Sequence, residues 1–173
     1  MAAAGRLTTV YLAFGANLGD RAGAIGRAIG LLAPHGVAVR ARSPLYETDA
    51  VTPDPQPRYL NAVVRAETTR APAALLADCL SIERALGRRR PAGRLHAPRE
   101  IDIDILLYGG EMIEDPPSLI VPHPRLHARP FVRIPLSDVA MPGLRHPVTG
   151  EPLDRAAADP SVRAVPIKPR DGA

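Results

Sequence analysis

Aromatic side chains are scarce in this sequence: four Tyr, two Phe and no Trp, 3% of 173 residues. The core must therefore be built from Ala, Val, Leu and Ile. A protein that binds single strands by stacking bases on aromatic platforms is disfavoured. The only cysteine, Cys79, excludes an intrachain disulfide, and nothing argues for a structural zinc. Lys168 is the only lysine, so nearly all positive charge is arginine. No apolar run approaches the roughly 20 residues that span a bilayer. Met1 to Thr9 carries Arg6 but no signal-peptide core. A cytoplasmic protein with no membrane contact is the expectation. There is no Walker phosphate loop and no G-x-G-x-x-G. Nucleotide phosphates, if handled, would be handled by arginines and metal.

What is present suits a globular domain. Apolar content is 46%, and 20 prolines indicate shaped loops rather than continuous helix. The length suits one domain, residues 1–173, with a core from about 9 to 140 and a C-terminal tail, 141–173. A formal net charge of +4 suits an anionic ligand.

Val10 to Phe14 reads as a first strand, Gly15 to Asp20 as a turn with Asp20 as N-cap, and Arg21 to Leu32 as a helix. Ile25, Ala28, Ile29 and Leu32 form its apolar stripe. A second strand is expected from Val37 to Tyr46, with Val37, Val39, Ala41 and Leu45 inward. Glu47 to Arg58 is a proline-rich loop. Tyr59 to Thr68 is a third strand, with Leu60, Ala62, Val64 and Ala66 on one face and Tyr59, Asn61 and Val63 on the other. Pro72 opens a second helix with Leu75, Leu76, Cys79, Ile82 and Leu86 as its stripe and Gly87 past its end. Cys79 reads as a small buried apolar residue. A basic loop follows, Gly87 to Arg99. This loop and Glu47 to Arg58 are expected to be the mobile segments. Beyond the fourth strand, Glu111 to Ile120 is a loop with a short strand pair, Pro135 to Val139 a short helix, and Leu153 to Ala158 a short helix in an otherwise extended, frayed tail. The order strand, helix, strand, strand, helix, strand matches the α+β, ferredoxin-like βαββαβ pattern: an antiparallel sheet with helices packed on one face.

The stretch from Arg99 to Tyr108 carries the chemistry. Strand alternation puts Ile101, Ile103, Ile105 and Leu107 on one face, and Asp102 and Asp104 on the other with Leu106 and Tyr108. The two aspartate Cα atoms then lie roughly 6.5 Å apart. Two carboxylates at that spacing can converge on one or two hard divalent cations, and repel each other without them. An isolated D-x-D more often marks a solvated strand face. Here Leu106 and Tyr108 continue the aspartate face, and arginines run directly into the strand. Arginines beside metal-binding carboxylates make a physical case for phosphoryl transfer, because guanidinium binds phosphate bidentately.

The sequence resembles the 6-hydroxymethyl-7,8-dihydropterin pyrophosphokinases of folate biosynthesis. The resemblance rests on Phe14–Arg21 (FGANLGDR), Ser43–Thr48 (SPLYET), Tyr59–Val64 (YLNAVV), Ile82-Glu83 with Gly87-Arg88, Ala97-Pro98-Arg99 with Ile101–Leu106 (IDIDIL), and Pro122–Arg125 (PHPR) with Arg129 and Phe131. These blocks occur in the family's order and cover roughly residues 10 to 140.

The resemblance implies transfer of pyrophosphate from ATP to the hydroxymethyl oxygen of a reduced pterin, giving AMP. It implies that Asp102 and Asp104 hold two magnesium ions, with ATP as co-substrate, and that Arg88 and Arg99 clamp phosphates and act in catalysis. It places Glu83, Arg88, Arg94, Arg99, His123, Arg129 and the backbone of Ile105 at the ATP site. Thr48, Asp49, Val51, Tyr59, Asn61 and Phe131 fall at the pterin site, where an amide suits the pterin edge and an aromatic its flat face. Family members are often monomeric, which sets that expectation here. Taken singly, Asn61 reads as a strand-end hydrogen bond, Tyr59 and Phe131 as core, His123 as a loop-fixing residue and Glu83 as a solvated helix residue; the joint pattern overrides these readings.

The chain departs from the family before the fourth strand. Many members have Arg-Trp-Gly-Pro-Arg; here Arg94-Leu95-His96-Ala97-Pro98-Arg99 is one residue longer. Ile120 stands where a Thr often meets the nucleotide. Two other readings fit parts of the sequence: a ferredoxin-like nucleic-acid-binding module, which would want aromatics on an exposed sheet face, and a homologue that binds pterin without catalysis.

Overall fold

The computed structural model describes residues 5–88 and 98–166. Arg94, with His96 and the rest of 89–97, lies outside the described residues. In chain order the elements are β1 (Thr8–Ala16), α1 (Arg21–Gly30), β2 (Val37–Arg42), β3 (Tyr46–Thr48), β4 (Tyr59–Thr68), α2 (Pro72–Ala85), β5 (Asp102–Tyr108), β6 (Ile113–Asp115), β7 (Leu119–Val121), α3 (Pro130–Val139) and β8 (Arg163–Ala164). This is an α+β arrangement. The main sheet runs β5-β1-β4, with β2 and β3 sharing the far edge of β4 and β8 outside β3; its pairs are antiparallel. β6 and β7 form the expected short pair as a separate two-stranded sheet.

Local chemistry explains the punctuation. The Asp20 carboxylate accepts from the Gly23 N–H at 3.0 Å and caps α1. Pro72 takes the first turn of α2, and Gly87, at φ 88°, supplies the left-handed residue that lets the chain leave the helix. Val10, Leu12, Phe14, Leu60, Ala62, Val64 and Ala66 meet Ile25, Ala28, Leu75, Cys79 and Ile82 in one core beneath α1 and α2. Burial pushes the Cys79 thiol up to about 12, so it behaves as the small apolar residue expected.

Four expectations are corrected. First, the helices do not all pack on one face. α3 covers the opposite face, where Val132, Leu136 and Val139 join Tyr11, Val63, Leu106 and Leu107 in a second core. That helix starts at Pro130, five residues before the expected start at Pro135, and runs through Pro135. An internal proline costs about 3 kcal/mol. Three buried aliphatic side chains at about 1.5–3 kcal/mol each outweigh it. Arg65 then donates to the Val139 carbonyl at 2.9 Å and satisfies the helix end.

Second, the strand expected from Val37 to Tyr46 is two. The register with β4 shifts between Val39 and Ala41, which turns Ala41 to the α3 side. Ser43 and Pro44 then interrupt pairing: Ser43 Oγ accepts from Val63 N–H at 2.9 Å in place of a ladder bond. Third, β5 carries a register shift opposite Tyr11 and Leu12. Strict alternation fails there. Leu107 joins Leu106 on the α3 side, and Tyr108 turns to the α2 side, where its hydroxyl donates to the Arg70 carbonyl at 2.7 Å. Fourth, Leu153 to Ala158 is not helical; Leu153 is a fully buried plug in the α3 core, and the tail continues to pair as β8.

Candidate active site

Among the described residues β5 is an edge strand, paired only with β1. Its free edge faces α2. There the Ile103 N–H donates to Glu83 Oε1 at 2.8 Å. Alternate residues of an antiparallel strand present their backbone groups to the same edge, so the Ile105 N–H and C=O also point outward. Farther along, the His123 N–H donates to the Leu106 carbonyl at 3.0 Å and fixes the 122–125 turn against the strand. Glu83, read alone as a solvated helix residue, is instead buried at 3% exposure.

From Glu83 a charge network crosses to the aspartates. Arg88 Nη1 lies 2.7 Å from Glu83 Oε1 and 2.6 Å from Asp102 Oδ1, and Arg99 Nη1 lies 2.8 Å from Asp102 Oδ2. Both oxygens of Asp102 are thus held by arginine. Burial raises the Glu83 carboxyl, against the opposing Ile103 hydrogen bond and Arg88 charge. Asp104 is pushed up further, to about 7, by burial and then by the neighbouring Asp102 charge, with Arg129 opposing. It keeps some surface because it faces cavities, while protein surrounds the rest of it. A carboxylate held this high beside another is poised to accept cations.

Two cavities meet at Asp104. The first, about 140 Å³, is lined by all six residues expected at the pterin site, Thr48, Asp49, Val51, Tyr59, Asn61 and Phe131, and by Arg99, Asp102 and Arg129. Asn61 is buried and donates to Thr48 Oγ1 at 2.9 Å. Burial raises the Tyr59 phenol, with the Arg99 charge and hydrogen bond opposing. The Arg129 guanidinium sits 5.5 Å from the Phe131 ring centroid. The second cavity, about 230 Å³, is lined by Leu76, Ile103, Asp104, Ile105, Ile120 and His123. Burial, then Arg129 and Arg125, lowers His123 to about 4. It is therefore neutral at pH 7, and since Nδ1 accepts from the Arg125 N–H at 3.2 Å, the ring proton resides on Nε2.

Sequence reasoning assigned no role to Asn17, which follows β1 in the Phe14–Arg21 block. Its backbone N–H donates to the Arg99 carbonyl at 3.1 Å, and its Oδ1 accepts from the Arg99 N–H at 2.8 Å. Its Nδ2 donates to Gln56 Oε1 and the Pro57 carbonyl, both at 3.2 Å. One buried amide thus ties the proline-rich loop to the Arg99 backbone. Only a strand-to-turn position marked it in the sequence.

Among the described residues no three His, Cys, Asp or Glu side chains form a metal cluster. Asp102 and Asp104 offer hard oxygen donors to the same cavity. That set fits magnesium, which keeps several waters and takes one or two carboxylates plus substrate phosphates. No described helix is long and apolar enough to cross a membrane.

Comparison with known proteins agrees with this geometry. Residues 11–141 match the model of the 7,8-dihydro-6-hydroxymethylpterin-pyrophosphokinase (HPPK) family. The chain is 42% identical over 158 residues to the 2-amino-4-hydroxy-6-hydroxymethyldihydropteridine pyrophosphokinase of Methylorubrum extorquens, covering 90% of this chain and 96% of that protein. It is 42% identical over 130 residues to the Bacillus subtilis protein of the same name, covering 75% and 76%. A folate synthesis bifunctional protein of Arabidopsis thaliana is 41% identical over 131 residues; the match covers 75% of this chain but 26% of that longer relative. The solved wild-type Plasmodium falciparum HPPK-DHPS shares the fold, with a TM-score of 0.64, 15% identity, and coverage of 86% of this chain and 44% of that one.

Proposed function

The chain belongs to the 7,8-dihydro-6-hydroxymethylpterin-pyrophosphokinase family, and we propose that it transfers pyrophosphate from ATP to the hydroxymethyl group of 6-hydroxymethyl-7,8-dihydropterin, giving AMP and the pterin diphosphate. The observation that carries this reading is the junction of two cavities at Asp104, with Asp102, Arg88 and Arg99 beside it. The first cavity takes the pterin and the second the adenine. Asn61 and Thr48 offer donors and acceptors to the pterin edge, and Tyr59 and Phe131 its flat faces. The free Ile105 backbone edge offers the donor and acceptor that adenine needs, and neutral His123 a donor. The transferring phosphates then lie over Asp102 and Asp104.

Two magnesium ions are the cofactor in this reading, held by Asp102 and Asp104; when bound they neutralise phosphate charge and acidify the pterin hydroxyl. The protein's own part is electrostatic. Arg88 and Arg99 both pair with Asp102, which sets their guanidinium groups beside the carboxylates that would hold the cations, where they would clamp the phosphates. Glu83 stays with Arg88 and keeps it in place. Asn17 fixes the Arg99 backbone. Arg129, between Asp104 and Phe131, adds positive charge where the two substrates meet. Arg94 belongs to this ATP site by resemblance alone.

The strand order β5-β1-β4-β2, with α1 and α2 on one side, supports the ferredoxin-like reading; α3 is an addition on the other side. That addition weighs against nucleic-acid binding, because it covers the sheet face an RNA-binding sheet would expose. A single domain over 1–173 acting as a monomer belongs to this reading by resemblance to the family, and ATP as donor suits a cytoplasmic location. The test is magnesium-dependent formation of AMP from ATP and the pterin alcohol. Asp102→Ala and Asp104→Ala should each abolish it in a folded protein; turnover surviving in both would refute the assignment.

A further inference from the structure

The family match ends at residue 141, but the chain beyond it returns to β3, which leads into the wall of the first cavity. Leu153 docks in the α3 core, with its N–H bonded to the Leu144 carbonyl at 2.8 Å. The chain then rounds the sheet edge. β8 pairs antiparallel with β3, Ala164 opposite Tyr46 and Arg163 opposite Glu47. The Val165 N–H donates to the Leu45 carbonyl at 2.8 Å, and its side chain packs on the core beneath α1 and α2. β3 is only three residues long and leads directly into Asp49 and Val51 of the cavity wall.

The charges along this edge alternate. Arg21 pairs with Glu47 at 3.0 Å, Glu47 with Arg58 at 3.4 Å, Arg58 with Asp49 at 3.0 Å, and Asp49 with Arg163 at 3.7 Å. The chain of pairs starts at the first residue of α1 and ends in the tail. Each exposed pair is weak alone. Added to backbone pairing, which fixes the register of a very short strand, they hold Thr48 and Asp49 at the cavity.

We propose that β8 and Arg163 are a positioning strap for β3, so that the tail outside the family match sets affinity for the pterin and leaves the ATP side untouched. The proposal rests on the reading of the first cavity as the pterin site. Arg163 touches neither substrate; it acts through Asp49. Removing its charge loosens one end of β3, reversing it repels Asp49, and removing the Val165 N–H unzips the pair.

The test measures pterin and ATP binding and steady-state kinetics for the full chain carrying Arg163→Lys, Arg163→Ala, Arg163→Glu or Val165→Pro, with Asn61→Ala as the control on the cavity. Pterin KM should rise about two- to threefold in Arg163→Ala, about fivefold in Arg163→Glu and about tenfold in Val165→Pro, as expected for misplacement of a binding wall. Arg163→Lys should stay close to wild type. ATP KM and kcat at saturating pterin should not move, and amide exchange at Tyr46 to Thr48 should quicken. Wild-type pterin affinity in Arg163→Glu and Val165→Pro, with Asn61→Ala weakened, overturns the strap and leaves the cavity assignment standing. Equal losses toward both substrates also overturn it. Unaltered pterin binding in Asn61→Ala removes the cavity assignment, and the strap with it. Should Val165→Pro fail to fold, the surface variant Arg163→Glu decides.

Discussion

Two acid–arginine clusters are rooted on α2, and they behave in opposite ways. At Asp78 the carboxylate accepts from Arg70 Nε at 2.7 Å and Nη2 at 3.0 Å, and lies 3.0 Å from His35 Nδ1. Burial acts to raise Asp78, but Arg70 and His35 outweigh it and hold the carboxyl below its ordinary value. At Glu83, Asp102 and Asp104 the carboxylates lie among Arg88, Arg99 and Arg129, and burial still wins: Glu83 and Asp104 are raised. The first cluster is complete, stitching the turn before β2 and the link after β4 to the helix. The second keeps a buried carboxyl, Asp104, that its arginines do not bring down to the ordinary range, at the junction of two cavities. An ion cluster that satisfies itself stabilises; one that leaves a carboxyl disfavoured is suited to a cationic or cation-bearing ligand.

The largest effect that tests this contrast is at Asp104. Asp104→Asn should lower kcat by at least about 10³-fold, the scale of losing charge stabilisation in a transition state. The same change should raise the stability of the ligand-free protein by on the order of 1–2 kcal/mol, because it removes a disfavoured buried charge. A denaturant melt showing Asp104→Asn less stable than wild type would break the comparison. Asp78→Ala should do the reverse. Stability should fall by about 2 kcal/mol, discounted for the exposure of Arg70, while kcat per folded molecule is unchanged.

The two clusters also predict opposite pH behaviour. Asp104, raised in the folded state, destabilises as pH climbs from its ordinary carboxylate range toward about 7, because the unfolded chain ionises first. Asp78, lowered, contributes stability at neutral pH that is lost as pH falls through its folded value. Ligand-free thermal melts from pH 4 to 7 should show a decline that Asp104→Asn reduces, leaving the smaller part due to Glu83, and that Asp78→Ala retains. Magnesium with an ATP analogue should flatten it. The smallest effect expected is at Tyr46, whose hydroxyl donates to Asp138 and whose phenol is pushed up to about 12 by burial and that bond. Tyr46→Phe should cost about 0.5–1 kcal/mol and leave turnover intact.

The sequence-based reading found an antiparallel α+β arrangement with helices after the first and third expected strands, because each of those elements buries a periodic apolar face that neighbours in sequence announce; its second strand is two, β2 and β3. It found the cavity residues through motif resemblance. It missed the bulges in β2 and β5, since one inserted residue leaves no trace in an apolar pattern while reversing every face beyond it. That is why Tyr108 was placed beside Asp104 and lies instead under α2. It missed α3 on the second face because Pro135 reads as a helix start when its packing partner is unknown. Taken singly, Glu83 reads as solvated, because no local pattern says that the free edge of β5 needs an acceptor; only the resemblance brings it to the site.

For this protein the sequence alone determined that Asp102 and Asp104 share a strand face, that arginines precede them, and that α1 and α2 have one apolar side; these follow from side-chain period and composition. Tertiary structure decided that Arg88 reaches Asp102 from the end of α2, that Asn17 holds Arg99, that Asp104 stands between two cavities, and that the tail returns to β3. Those relations join residues far apart in the chain. They depend on burial, long-range pairing and charge balance, which exist only once the sheet has formed.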